Sequence, residues 1–151
     1  MKIVIILKKI KKYYKIPFHQ KLVIIKTYLL MGFVRFLILF IPFKRVASIM
    51  GKPMSESPEE VEPSMLITAK KIAWYVKKLS QYTFWESKCL VQALTTLILL
   101  KRRKIPCTLY LGMAKDENNK ISAHAWLRCG NEVVTGAYER SGFSMVAYFS
   151  T

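Results

Sequence analysis

With 151 residues the chain is long enough for one domain with a single core and needs no covalent staples. Its 52% apolar content excludes disorder as the general state, and three cysteines without a CxxC pair argue against a disulfide framework or a structural zinc site. The net charge of +16 is unevenly spread: residues 1–50 hold eleven Lys or Arg and no acid, residues 51–64 one Lys against four Glu, and residues 65–151 thirteen bases against five acids. A basic arm of this kind suits an anionic partner, whether acidic lipid, nucleic acid or an acidic protein surface.

In chain order, the first apolar run, Ile3 to Leu7, is five residues long and lacks a small-residue cleavage site. That is too short for a signal-peptide core, so a reducing, cytosolic setting is expected. Residues 2–16 mix apolar runs with Lys8, Lys9, Lys11, Lys12 and Lys15, which reads as a basic amphipathic segment or as the solvated start of the first helix. Leu22 to Phe43 is the most apolar stretch, interrupted by Lys26 and Arg35. A spanning helix tolerates few such charges, each costing roughly 2.5–3.5 kcal/mol at its centre. The expectation is a buried or partner-facing helix ending before Pro42, with peripheral membrane contact as an addition and a true span as the lesser reading. Phe43 to Met50 adds a helical turn or two, closed by Gly51.

Gly51 to Ser64 is rich in Pro, Ser and Glu and is expected to be a surface linker whose acids neutralise part of the basic arm. Met65, Ala69, Ile72, Ala73, Val76 and Leu79 then have amphipathic helical spacing, with lysines on the wet side and Trp74 and Tyr75 expected to pack. The next helix runs to about Lys104 and buries Leu90, Ala93, Leu94, Leu97 and Ile98. It starts either with Ser87 as N-cap, putting Cys89 in the first turn, or earlier with Thr83 and Glu86 as a capping box. Cys107–Ala114, Ile121–Cys129 and Glu132–Thr135 read as strands, the last two joined by a Gly130–Asn131 hairpin, and Met145–Phe149 as a fourth. The result is an α+β chain: a helical N-terminal region over 1–50, a linker over 51–64, and over 65–151 a core of one helix packed on an antiparallel sheet.

Two residues carry chemistry. Helix N-termini favour thiolates and offer N–H groups for an oxyanion, which makes Cys89 a candidate nucleophile beside the cation of Lys88. His124, on a strand, is the candidate general base. The plainer reading is a small buried cysteine and a satisfied core histidine. Cys107 and Cys129 are expected to pack within strands. No cofactor is called for, and aromatics are not interleaved with the basic runs as a nucleic-acid stacking platform requires.

The Cys89-Leu90 start of an apolar helix, Arg103-Lys104-Ile105, Leu109-Tyr110-Leu111-Gly112 and Ala123-His124-Ala125-Trp126-Leu127 together resemble the lasso peptide biosynthesis B2 proteins, stand-alone leader peptidases with a transglutaminase-like core. The resemblance covers roughly residues 20–150. It implies a transglutaminase/papain-like fold, Cys89 as nucleophile and His124 as base. It also implies a precursor peptide as substrate, a separate leader-binding protein, and an asparagine-synthetase-like cyclase. The family's usual third member is an Asp about twelve residues after the histidine, where this chain has Gly136. A two-residue turn at Gly130–Asn131 would set His124 opposite Ala137, with Val133, Thr135 and Glu139 on the same face. Glu139 is then the candidate to orient His124, Thr135 a weaker one, and a Cys–His dyad oriented by backbone a third option. The competing function is a non-catalytic binding module at an anionic membrane surface, with structural Cys and His.

Overall fold

The computed structural model describes residues 17–115, 117–138 and 140–151; the expectations for residues 1–16 and for Glu139 lie outside these. Helix α1, Phe18–Phe40, follows Pro17 and ends where Ile41 turns extended ahead of Pro42, as the residue before a proline is driven to do. Helix α2 is Phe43–Met50, and Gly51 leaves it at φ 116°. Strand β1 is Lys52–Pro53, helix α3 Pro63–Ser80, and helix α4 Cys89–Lys101. Strands β2 Thr108–Lys115, β3 Ile121–Cys129 and β4 Glu132–Thr135 come next. A single 3-10 turn at Arg140–Gly142 leads into β5, Ser144–Ser150.

The five strands pair antiparallel in the order β1-β5-β2-β3-β4. The alternation read from the sequence is realised along β2: Leu109 and Leu111 pair with Leu127 and Ala125, and all four join the core. Tyr110 pairs with Trp126 and Gly112 with His124 on the other face. Glycine at 112 is dictated by space, since a Cβ there would meet the Trp126 ring at 2.7 Å.

α4 is the hub. It packs on β3 and against both α3 and α1, so its burial is not confined to one stripe: Val91, Thr95, Thr96 and Leu100 are buried along with Ala93, Leu94 and Leu97. Leu90 and Ile98, expected inside, are only half-buried. The helix also stops earlier than expected. Arg102, Arg103 and Lys104 form a closing turn in which the Arg103 and Lys104 amides donate to the Leu100 and Lys101 carbonyls, and Lys104 takes φ 56°. α1 contributes Met31 and Val34 to the same core as Leu97, Leu109 and Leu127. Its other side is uncovered, so the expectation of a buried helix holds for one face only.

Two further expectations change. The 51–64 segment is more than a surface connector: β1 pairs with β5, and Ser57 is buried, its N–H and hydroxyl each 2.8 Å from Thr108 Oγ1. Its Glu56 bonds the Tyr110 hydroxyl at 2.8 Å and lies 3.6 Å from Arg128. Trp74 and Tyr75 stand exposed, stacked edge-on to one another rather than packed into the core. Physically, α3 needs only a narrow stripe of Ala69, Ala73 and Val76 to seat on α4, which leaves the bulky pair outside.

Candidate active site

Helix α4 begins at Cys89 itself. Lys88 is the N-cap by backbone, with φ −77° and ψ −170°, and no side chain caps the helix. Ser87, expected in that role, is engaged elsewhere: its Oγ lies 2.9 Å from Thr83 Oγ1. Nor does a Thr83–Glu86 capping box form, because Thr83 Oγ1 sits 3.0 Å from the Ser80 and Trp85 carbonyl oxygens. Cys89 therefore occupies the first helical position, where backbone N–H groups lack intrahelical acceptors and the helix dipole is most strongly felt.

The loop before the thiol is fixed from two neighbouring helices. From within α4, Gln92 Nε2 donates to the Ser87 carbonyl at 2.8 Å and to Ser80 Oγ at 3.2 Å. From α1, the Trp85 ring lies against Gly32, where an added Cβ would approach it to 3.1 Å, and its centroid is 4.9 Å from that of Tyr28. Glu86 links the two elements, 3.2 Å from Arg35 and 2.7 Å from Lys88. The hydrogen bond and charge of Lys88, with Arg35 adding to them, hold the Glu86 carboxyl below the usual range, and Glu86 in turn raises the Lys88 ammonium.

His124 is 4% exposed, its ring centroid 6.0 Å from Trp126 and 5.1 Å from Phe143. Its Nε2 is 2.9 Å from the carbonyl oxygen of Gly136. A carbonyl only accepts, so Nε2 is the donor in this bond. The register that sets this up differs from a plain two-residue hairpin. Cys129 pairs with Glu132 and Arg128 with Val133, but Leu127 pairs with Thr135, so Val134 is an extra residue in β4. Such a bulge re-aims the residues beyond it. The strand ends at Thr135, and instead of Ala137 opposite His124, the Gly136 carbonyl meets the imidazole.

Cys89 and His124 both line one cleft of about 730 Å³. Gln92, Lys77, Lys88, Thr135, Gly136 and Tyr138 contribute to its walls. The thiol and the imidazole open onto the same space. Among the described residues lining the cleft there is no carboxylate. The other two thiols are elsewhere. Cys107 and Cys129 are fully buried on the helix-facing side of the sheet, as expected of strand packing; burial pushes the Cys107 thiol up to about 11 and raises that of Cys129.

Sequence reasoning missed Gln92 and the loop contacts of Trp85. The available signal was a lone amide three residues after the cysteine in an otherwise apolar turn. Gln92 donates back across the helix start, which its type and spacing permit but do not require.

A central helix that starts at a cysteine, packed on an antiparallel sheet whose neighbouring strand turns a histidine into the same cleft, defines a papain-like α+β core. The transglutaminase-like superfamily profile matches residues 34–147, and the chain belongs to that superfamily. No curated protein and no solved structure matches the chain.

Proposed function

We propose that the chain is a cysteine peptidase that removes the leader from a ribosomally made lasso peptide precursor. The observation that carries the reading is the shared cleft: Cys89 at the first position of α4, and His124 with its Nε2 tied to the Gly136 carbonyl. Membership of the transglutaminase-like superfamily supports thiol chemistry on this fold. The narrower assignment to lasso precursors rests on the resemblance of the segments around Cys89 and His124 to the B2 proteins.

In this reading the Cys89 thiol gives its proton to the imidazole of His124, and the sulfur attacks the scissile carbonyl carbon. The oxyanion forms at the start of α4, where uncapped N–H groups can receive it. The imidazolium then protonates the departing amine as the C–N bond breaks, which releases the core peptide with a free N-terminus. Water, deprotonated by the same imidazole, cleaves the thioester to free the leader and restore the thiol. The released amine is what a macrocyclase would join to a side-chain carboxylate. Where the family pattern has an Asp, the Gly136 carbonyl helps to hold the ring through Nε2, without supplying a full negative charge. A separate leader-binding protein would deliver the precursor.

The test is cleavage of a precursor peptide by the purified chain together with its leader-binding partner. Cys89→Ala is expected to fall to background and His124→Ala to lose about 10²–10⁴-fold in kcat. Full activity of Cys89→Ala would overturn the peptidase reading; cleavage of unrelated peptides with equal efficiency would overturn the leader-specific one.

A further inference from the structure

Helix α1 has two apolar faces, and only one is used inside the molecule. Thr27, Met31 and Val34 are buried against the domain. On the opposite side, Leu22, Ile25, Leu29, Phe33, Phe36 and Phe40 are all exposed, Leu29 to 63% and Phe40 to 68%. At about 100° per residue these six fall within a fan of roughly 80°, and they form a stripe about 27 Å long. Phe43, at the start of α2, continues it and is also exposed. Scattered exposed leucines need no explanation, but a contiguous stripe of this size signals a binding surface.

We propose that this stripe seats the protein on an anionic lipid bilayer, with α1 lying in the plane of the interface. The charge pattern selects the occupant. Lys26 borders the stripe by helical spacing, Lys44 and Arg45 stand exposed in α2 just after it in the chain, and the first 50 residues contain eleven bases without one acid. An apolar face rimmed by cations and free of carboxylates matches the acyl boundary and the headgroups of acidic lipid at once. A protein partner would need a matching apolar groove lined by acids, and the first 50 residues cannot supply those acids to a second copy.

The 23 residues of α1 are long and apolar enough to cross a membrane, but crossing conflicts with the fold. A span would withdraw Met31 and Val34 from the core they share with Leu97. It would also strip Arg35 from Glu86 and place that guanidinium in hydrocarbon. Lying flat satisfies both faces: one stays on α4, the other enters lipid. The core of the domain takes the place of the polar face that an isolated interfacial helix would carry.

The experiment is flotation of the full chain with vesicles of phosphatidylcholine, with and without phosphatidylglycerol. Flotation with the anionic vesicles and release by high salt are expected. The triple variant Leu29→Glu, Phe33→Glu, Phe36→Glu changes exposed positions only and is expected to partition at least about ten-fold less, with an unchanged circular dichroism spectrum and melting temperature. A second variant, Lys26→Glu, Lys44→Glu, Arg45→Glu, leaves the stripe intact and is expected to lose the preference for anionic lipid. Three results would each overturn the proposal: equal flotation with neutral vesicles, resistance to alkaline extraction as a spanning helix shows, or no flotation with an α1-dependent dimer instead. Vesicle binding is read without any cleavage assay, so its outcome is independent of the peptidase proposal.

Discussion

Gly136 carries two constraints at a single residue. Its φ of +71° is one that only glycine adopts freely, and an added Cβ would come within 2.6 Å of the Ala125 carbonyl oxygen and 3.0 Å of His124 Nε2. A side chain at this position has no room. Replacing Gly136 by Asp is therefore expected to destabilise the fold by about 1–3 kcal/mol and to lower cleavage rather than improve it, as read by urea denaturation and precursor turnover. A second prediction concerns the thiols. In the native chain Cys89 alone is expected to alkylate at neutral pH, because the other two are sealed in the core, and mass mapping of the adduct checks it. Cys107 has its folded value raised from 9.0 to about 11. A raised folded value means that the native thiol holds its proton more tightly than the unfolded one. Its contribution is whole below about pH 9 and is lost as pH climbs to 11, a fall of about 2–3 kcal/mol. Cys107→Ala is expected to flatten that part of the alkaline stability curve.

Among the elements, α4 shows how the site depends on what precedes it. The loop from Gln81 to Lys88 has no regular helix or strand of its own, and Gln92 is a side chain of the helix that ties it down. Gln92→Ala removes donors to the Ser87 carbonyl and Ser80 Oγ, with an expected cost of about 1–2 kcal/mol. Because the loop leads straight into Cys89, kcat for precursor cleavage is expected to fall more than the stability loss alone explains, while Gln92→Glu, which lacks the amide donor, does not rescue it. Helix positions were legible in the sequence, since α1, α2 and α3 obey proline punctuation and 3.6-residue spacing. The start of α4 was less so. Three hydroxyl or carboxyl residues, Thr83, Glu86 and Ser87, competed for the cap: Thr83 and Ser87 bond each other within the loop, and Glu86 pairs with Arg35 of α1 and with Lys88. The same holds for the β3–β4 hairpin. Gly130-Asn131 announced the turn, but a one-residue bulge at Val134 has no local signature and is fixed by how the strand seats on the core.

For the molecule as a whole, the fold class was readable because core periodicity and turn chemistry agree along residues 65–151, whereas Cys89 and His124 were singled out by the helix start and the family resemblance. The role of residues 51–64 was not readable, since their polar composition describes a loop equally well whether it floats or is bound. It is bound, through β1 pairing, Thr108, Tyr110 and the side chain of Arg128. Arg128 donates to the Ser57 carbonyl at 2.9 Å, to the Tyr110 hydroxyl at 3.0 Å and to the Gly130 carbonyl, and pairs with Glu56. Arg128→Met is expected to cost about 3 kcal/mol, and Arg128→Lys to recover little, because an ammonium cannot serve such divergent acceptors from one fork. Thermal melts of the two variants check this, with proteolysis between Met54 and Glu62 reporting release of the segment.

The order of the sheet has a consequence for how the chain is made. β5 is the last of the five strands to leave the ribosome, yet it lies between β1 and β2, pairing Lys52 with Ser150 on one edge and Leu109 with Phe149 on the other. Until it inserts, β2 offers an open edge bearing Leu109 and Leu111, the kind of edge that recruits foreign strands. The helices, all of them earlier in the chain, can associate during synthesis, but the sheet closes only afterwards. A nascent chain halted near Phe143 would therefore carry both members of the cysteine–histidine pair and still be a substrate for chaperones rather than an enzyme.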